Sequence, residues 1–305
     1  MNIEDLTGPV DWVDHGVFGY LPCPGKHLHT TNDGPKDCRI YVDGFPTIHC
    51  VHESCAELRA EATHNLRQAM KAQGWEAPPV TKEMKERNRY RDHLERVVEH
   101  LSKAKEFIYE NFAWPVSEIE VSSEEGPWKP DVQTAQFIWS LFTPDETIWL
   151  GEPTETGPAY WSHFQPSNVW AHRDTVPQFI CPNPLVPGSN SRTAKCLSDK
   201  RYFVIECDHA HEDPGINRDR CGAVFRYAMD QKKNLKLRAI VDSGNKSLHG
   251  WFEYPGDDDY EWCRKVLPVL GADPATMRLA QPVRTPGALR DNGRIQSLIW
   301  LGGEE

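Results

Sequence analysis

Cysteine and histidine recur on two short segments near the N-terminus, Cys23-Pro-Gly-Lys-His-Leu-His29 and His49-Cys-Val-His-Glu-Ser-Cys55. Two ligand pairs, each on a tight turn, are the usual basis of a tetrahedral structural zinc site. The predicted zinc ligands are Cys23, His29, Cys50 and Cys55. The short offsets permit other choices, and three alternatives stay open: His27, Cys38 and His52.

A second group of chemically suitable residues ends an apolar run, Arg201-Tyr-Phe-Val-Ile-Glu-Cys-Asp208. The run is rich in strand formers, so it predicts a buried strand that carries Glu206 and Asp208 at its open end. Side chains alternate along a strand, so the two carboxylates share a face and Cys207 points the other way. Paired carboxylates of this kind suit a hard divalent ion such as Mg²⁺ or Mn²⁺.

Residues of types that often bind phosphate occur next, in the turn between two predicted strands. This segment is Asp242-Ser-Gly-Asn-Lys-Ser-Leu-His-Gly-Trp251. Gly244 and Asn245 tolerate positive φ, so backbone N–H groups can converge there, and Lys246, Ser247 and His249 add donors. The glycine spacing is not that of a Walker loop. Further along, Asp273, Arg284 and Arg290 supply a third acid and two arginines. A loop at 182–192 places Arg192 ahead of the acidic strand, with Lys195 close behind, and both could reach a phosphate.

Hydrophobic periodicity predicts the elements that must position these residues. Helices are expected at 57–75, 82–112, 131–142 and 216–231, and strands at 147–151, 235–241 and 248–254. A hairpin with its turn at Asp43-Gly44 is expected between the two cysteine segments. These elements indicate an α+β protein with three parts: a small zinc-binding domain at 1–76, a helical connector at 77–114, and a catalytic domain at 115–305.

Composition limits the function classes. The chain has 305 residues, 39% of them hydrophobic and 26% charged, which is ordinary for a soluble protein, and its net charge of −11 argues at first against nucleic acid. Bases outnumber acids from 185 to 246, so a polyanion has a local basic surface despite the net charge. No apolar run is long enough for a membrane helix, and the N-terminus lacks the features of a signal peptide. A cytoplasmic location is therefore expected, which favours metal ligation over disulfides for the nine cysteines.

Two sets of motifs resemble known replication proteins. The N-terminal Cys-Pro-Gly-x-x-x-His-Thr and Cys-x-His-x-Ser-Cys are similar to the Cys-His-Cys-Cys zinc ribbon of bacterial and phage DNA primases, although the second pair has four intervening residues where two are usual. Glu206-x-Asp208, Ser243-Gly-Asn-Lys-Ser-Leu-His249 and an acid followed by Arg-x-Pro-Gly resemble the three ordered motifs of the archaeo-eukaryotic primase superfamily, in its phage and mobile-element branch. Many relatives have aspartate at the first motif position, where this chain has Glu206.

The resemblance implies an RRM-like mixed-sheet catalytic domain and a DNA primase or primase-polymerase, a nucleotidyltransferase that uses two Mg²⁺ or Mn²⁺ ions. Carried to matching positions, it implies that Glu206, Asp208 and Asp273 bind the metals and that His249 contacts the nucleotide. Lys246, Ser247, Arg284 and Arg290 would bind triphosphate oxygens. The zinc ribbon would bind single-stranded DNA template, with Tyr41 and Phe45 available for base stacking and with Arg192 and Lys195 on the backbone. Because no Walker loop occurs in the chain, a separately encoded helicase is the expected partner.

Two other functions fit the same residues. Clustered acids with a lysine also serve phosphodiester hydrolysis, so a metal-dependent nuclease is one alternative. A non-catalytic, zinc-containing single-strand-binding protein or replication initiator is the other. The sequence does not decide between ribo- and deoxyribonucleotides.

Overall fold

The structure is a computed structural model, and it describes residues 3–14, 18–29, 34, 36–42, 45–76, 81–123, 126, 128–129, 131–152 and 156–303. The chain is a mixed α+β protein whose described residues form three antiparallel sheets. It divides into two compact units, Met1–Asn88 and Arg89–Glu305. The predicted domain borders at 76/77 and 114/115 stay predictions.

The helices and strands have the following bounds. The helices are α1 (Glu4–Thr7), α2 (Ala56–Ala72), α3 (Lys82–Asn111), α4 (Val116–Ser122), α5 (Gln133–Leu141), α6 (Gly157–Trp161), α7 (Ser167–Ala171), α8 (Pro214–Gln231) and α9 (Asp257–Val266). The strands are β1 (Asp11–Asp14), β2 (Phe18–Tyr20), β3 (Cys38–Tyr41), β4 (Thr47–Cys50), β5 (Thr147–Gly151), β6 (Phe164–Pro166), β7 (Phe179–Ile180), β8 (Tyr202–Glu206), β9 (Leu237–Asp242), β10 (Leu248–Glu253), β11 (Val283–Arg284) and β12 (Ser297–Leu301).

The smaller unit contains one four-stranded sheet, ordered β1-β2-β3-β4. One face packs on α2 through Ile40, Ile48 and Leu66, which are almost fully buried. Thr63 of α2 exchanges hydrogen bonds with the backbone of Ile48, which fixes the helix against the outer strand. So small a core buries little apolar surface, and a metal is the usual supplement in a unit of this size.

The larger unit is built around an antiparallel sheet ordered β12-β9-β10-β8. The period of two along β8 divides its side chains between two cores: Phe203 and Ile205 pack with α3, α8 and α9, whereas Tyr202 and Val204 pack with α5 and α7. Since β8 is an edge strand, its outer side is open to other segments, and Ala272 forms a bridge with Cys207 there. A second sheet, ordered β11-β7-β5-β6, lies on the α5 side.

Several predicted elements agree with the structure to within a few residues, among them α2, α3, α5, β5, α8, β9 and β10. The predicted turn at Asp43-Gly44 lies outside the described residues, although β3 and β4 on either side pair as expected. The strands β1, β2 and β12 and the helix α9 were not predicted. The strands β1 and β2 are short and α9 begins with three aspartates, Asp257 to Asp259, so each gives a weak apolar pattern, whereas β12 has a clear apolar run at 298–301 and was missed.

Candidate metal centre and candidate active site

The four predicted zinc ligands converge. Their ligand atoms, from Cys23, His29, Cys50 and Cys55, all lie within 4.8 Å of one another. Local backbone turns make this possible: the N–H of Lys26 donates to the carbonyl of Cys23, and Cys55 ends a 3-10 turn that leads into α2. A Cβ on Gly25 would lie 2.4 Å from the Cβ of Cys55, so the close approach of the two turns requires glycine. The cluster is suited to a metal ion such as zinc.

The three alternative ligands surround this cluster without belonging to it. His27 is exposed on a 3-10 turn. Cys38 pairs with Cys50 in the β3–β4 register and is buried. His52 stacks on His29 with ring centroids 4.0 Å apart, and its Nδ1 lies 3.4 Å from the Cys50 Sγ. The convergence therefore favours the predicted set of four, with His52 as a close neighbour.

Burial controls the protonation of these thiols. It raises the pKa of Cys23 to about 11 and that of Cys55 to about 12, because a thiolate is poorly solvated there. Burial also opposes ionisation of Cys50, but hydrogen bonds from the backbone and ring of His52 outweigh it and lower the pKa of that thiol. A zinc ion bound here would displace the remaining protons.

Glu206 is the centre of the second candidate site. It ends β8, and the β8–β10 register places it directly opposite His249. Ser247 donates a hydrogen bond of 2.6 Å to the Glu206 Oε1, and the His249 Nε2 lies 3.0 Å from the same oxygen. Burial opposes ionisation of Glu206, but the position of His249 beside the carboxylate, the hydroxyl of Ser247 and the charge of Arg284 lower its pKa to about 2.

Asp208 lies just beyond the strand and is half-buried. Burial raises the pKa of Asp208, and the negative charge of Glu206 raises it further, while Lys246 and Ser247 act in the opposite direction. Lys246 folds back on this segment, with its Nζ donating to the backbone carbonyl of Asp208 at 2.7 Å. Two carboxylates that repel each other in this way form a suitable donor set for a divalent cation.

The turn between β9 and β10 is tightly closed. The N–H of Ser243 donates to the carbonyl of Ser247, and the N–H of Gly244 donates to the Asp242 carboxylate at 2.8 Å. Gly244 has a φ of 70°, as its position in the turn demands. The backbone N–H groups of Ser243 and Gly244 therefore form hydrogen bonds within the turn. The side chains of Lys246 and His249 are the more suitable phosphate contacts.

His249 is 2% exposed. Its Nδ1 accepts the backbone N–H of Arg284 at 3.5 Å, so the neutral ring carries its proton on Nε2. Although the Nε2 is near Glu206, the pair lacks the angle of a hydrogen bond, and the Nε2 donor is buried without an acceptor within the described residues. Burying a donor without an acceptor costs free energy, and a ligand or water that accepts a hydrogen bond from it would remove that cost.

Arg284 approaches the same site from β11. Its guanidinium lies over Phe179 at 4.2 Å and is 3.3 Å from the side-chain oxygen of Gln178. Burial lowers the pKa of Arg284, and the neighbouring charge of Arg290 lowers it further, whereas Glu206 raises it. Arg290 itself donates to the carbonyl of Ser243 at 2.7 Å, so its guanidinium supports the turn directly.

Asp273 is joined to the acidic strand by its backbone. Its N–H donates to the carbonyl of Glu206 at 2.7 Å, while its carboxylate accepts the N–H of Ala275. Among the residues that the structure describes, the only group of three or more metal-ligating side chains within 4.8 Å is the cysteine–histidine cluster. The three acids thus come near one another through the backbone, and their joint role as metal ligands stays a prediction.

Asn217 is an important residue that the sequence pattern did not indicate. It lies on α8, is fully buried, and its Nδ2 donates to the carbonyls of both Cys207 and Lys246, at 2.6 and 2.8 Å. It therefore ties the acidic segment to the β9–β10 turn. Its only signal in the sequence is a polar side chain on the inner face of a predicted helix, where a buried amide needs hydrogen-bond partners.

The four residues predicted to bind nucleic acid differ in their surroundings. Tyr41 is 37% exposed and contacts Phe18 across the strands at 5.1 Å, whereas Phe45 packs edge-on against Trp75. Arg192 lies 4.1 Å from the centre of the Trp149 ring, and Lys195 is exposed on a 3-10 turn.

No family model, curated protein or solved structure matches the chain. Among its described helices, none is both long and apolar enough to cross a membrane.

Proposed function

We propose that the protein is a DNA primase or primase-polymerase, which synthesises primers on single-stranded DNA by nucleotidyl transfer. The observation that carries the proposal is the meeting of three distant motifs at one end of the central sheet. Ser247 and His249 both contact the Glu206 Oε1, and the backbone of Arg284 contacts His249. Residues so far apart in the chain converge on a carboxylate that is only 12% exposed, where a phosphoryl-transfer enzyme needs both acids and cations.

In this proposal Glu206, Asp208 and Asp273 hold the divalent metal ions. Such ions, when bound, activate the attacking hydroxyl and stabilise the leaving oxygen. The low pKa of Glu206 keeps it ionised at neutral pH, as a ligand must be. A cation would relieve the repulsion that raises the pKa of Asp208.

The nucleotide-binding roles fall to the cationic side chains. The unsatisfied Nε2 donor of His249 is the natural contact for a triphosphate oxygen, because the phosphate would supply the acceptor that the described residues lack. Lys246 supplies a point charge and Arg284 a planar guanidinium, which suits bidentate contact with phosphate. Arg290 supports the turn that carries Ser247, and so positions these groups.

Template binding falls to the smaller unit. Tyr41, Phe18 and Tyr20 form a row across β2 and β3, with neighbouring ring centroids 5.1 and 5.2 Å apart. Arg39 and Lys36 lie 5.9 and 5.7 Å from the centre of the Tyr20 ring. Aromatic rings with cations beside them form a stacking platform for single-stranded bases. Phe18 and Tyr20 replace Phe45 in this role, because Phe45 packs on Trp75.

The finer fold assignment belongs to the same proposal. The N-terminal unit would be a primase-type zinc ribbon, since its four ligand atoms converge on a small antiparallel sheet. The central sheet would be a variant of the RRM-like primase sheet that carries its acids on an edge strand.

Primer synthesis is tested directly with purified protein, single-stranded DNA, Mg²⁺ or Mn²⁺ and labelled nucleotides, by resolving product length. Products should lengthen with time in wild type and be absent for Asp208→Ala. The control is Asp230→Ala, which removes an exposed acid at the far end of α8 and should synthesise primers normally. Shortening of the DNA would instead show a nuclease. DNA binding with no nucleotide incorporation under either metal would show a non-catalytic binding protein.

A further inference from the structure

A cleft of about 410 Å³ in the larger unit is lined by three arginines, Arg192, Arg264 and Arg278, together with Tyr260 and the turn at 279–281. The guanidinium groups come from three separate parts of the chain: the loop before β8, the helix α9 and the segment after Asp273. Three cations from different segments therefore line one concave surface.

Contacts with aromatic rings orient two of these guanidiniums. Arg192 lies 4.1 Å from the centre of the Trp149 ring, and its Nε donates to the Tyr160 hydroxyl at 3.2 Å. Arg264 lies 5.7 Å from the centre of the Tyr260 ring. Burial raises the pKa of Tyr260, and the charges of Arg264 and Arg278 act against that rise, so both guanidiniums are close to the phenol. Stacked arginines lose little further freedom when they bind a ligand.

The charge of the cleft is not neutralised within the described residues. Elsewhere in this unit Arg201, Arg218 and Arg220 each have a carboxylate within 4.0 Å. None of the three cleft arginines has such a partner among the residues that the structure describes. In a chain with a net charge of −11, a concave surface of unpaired guanidiniums attracts an anion.

We propose that this cleft binds the phosphodiester backbone of a single nucleic-acid strand. The three guanidiniums come from three segments that line one cleft, so successive phosphates of a strand can each contact a different one. Arginine suits this task because its planar fork makes bidentate contacts with phosphate. The choice of nucleic acid over other polyanions rests on the proposed function, but the charge and shape of the cleft do not.

The test measures binding of a fluorescein-labelled 20-nucleotide oligothymidylate by anisotropy, at KCl concentrations from 50 to 200 mM. The variant is the double substitution Arg264→Ala and Arg278→Ala. The matched control is Lys233→Ala with Lys265→Ala, which removes the same charge. Lys265 is the neighbour of Arg264 on α9, it is exposed, and it does not line the cleft.

Each phosphate contact to a single strand contributes about −0.7 to the slope of log affinity against log salt. Loss of two contacts should therefore reduce the fall in affinity over this fourfold salt range by about sevenfold relative to wild type. The control should keep the wild-type slope. Both replaced arginines are exposed, so thermal melting should be unchanged and should exclude misfolding as the cause.

The proposal is overturned if wild type does not bind the oligonucleotide, or if the arginine variant keeps the slope of the lysine control. Tighter binding of wild type to polyglutamate than to the oligonucleotide would also overturn it, by showing a site for an acidic protein. Nucleotide incorporation is measured in parallel and separates the two proposals. If wild type binds DNA through the cleft but adds no nucleotide, only the proposal of primase activity is overturned. If incorporation is normal and the arginine variant keeps the wild-type slope, only the proposal of strand binding by the cleft is overturned.

Discussion

The cysteine–histidine cluster and the acidic site hold their functional side chains together by different means. In the cluster, four ligand atoms lie within 4.8 Å, and burial raises the pKa of Cys23 and Cys55, which favours their neutral thiols when no metal is bound. In the acidic site, Glu206 has a pKa of about 2 and is charged, and Ser247 and His249 stand beside its carboxylate. Neutral thiols can crowd together without repulsion, whereas ionised carboxylates need donors between them.

The two regions also differ in the origin of their geometry. The cluster is assembled from two turns that are close in sequence, with Gly25 allowing the contact between them. The acidic site is assembled from β8, the β9–β10 turn, α8 and β11, which only the complete unit brings together. Loss of a ligand should therefore unfold the first region, but it should impair the second without unfolding it.

The largest expected effect is that of Cys50→Ser. Structural zinc contributes an apparent 10–16 kcal/mol in small zinc-binding units, about the whole stability of such a unit. We expect about one equivalent of zinc in wild type and almost none in the variant. Hydrogen exchange should become fast throughout α2 while β8 and β10 stay protected. Simultaneous loss of protection in both units, or a full equivalent of zinc in the variant, would contradict the comparison.

The next largest effect is that of Asp208→Ala. We expect nucleotide addition to fall by more than about 100-fold, or about 2.7 kcal/mol, because a metal ligand is lost. The melting temperature should be unchanged or higher, since burial and the charge of Glu206 raise the pKa of Asp208 and so make its ionised form unfavourable in the fold. Activity above a tenth of wild type would place the reaction elsewhere, and a marked loss of stability would remove the contrast with Cys50→Ser.

A smaller effect is expected for His249→Ala. A hydrogen bond to a charged phosphate contributes about 1.5–3 kcal/mol, so the nucleotide concentration for half-maximal synthesis should rise roughly 10- to 150-fold. Affinity for single-stranded DNA should change by less than about twofold. His249→Gln keeps a side-chain donor and should recover part of the loss. Reduced DNA affinity with unchanged nucleotide dependence would exclude His249 from nucleotide binding.

The last prediction concerns acid stability. The folded-state pKa of Glu206 is lowered from 4.5 to about 2, so its ionised form stabilises the fold above pH 4.5, and this contribution is lost as the pH falls towards 2. The difference in unfolding free energy between wild type and Glu206→Gln should therefore shrink over that range. Glu212→Gln, at an exposed position, serves as the control and should differ from wild type by a constant amount. A difference that does not vary with pH would show that Glu206 is not held as a carboxylate.

Much of the fold follows from local patterns. The helix α3 begins at the predicted residue, Lys82, and β5 and the start of β10 also agree, because each has a clear apolar period and a turn or proline beside it. The strand β12 has a local signal of the same kind, the apolar run 298–301, and was missed, whereas the pairing of Ala272 with Cys207 has no local signal. Strand partners far apart in sequence are selected by packing.

The sequence by itself limited the zinc ligands to four predicted residues and three alternatives, and it predicted the alternation that places Glu206 on one face of β8, because both depend on residues close together in the chain. The tertiary structure decided which groups surround those residues. Asn217 connects the acidic segment to the β9–β10 turn by hydrogen bonds, and the backbone of Arg284 in β11 contacts His249. In the smaller unit, Phe45 packs on Trp75, and Phe18 packs on Tyr41. The physical reason is that burial and hydrogen bonding between distant segments depend on how the two faces of a sheet are covered, and no local period records this.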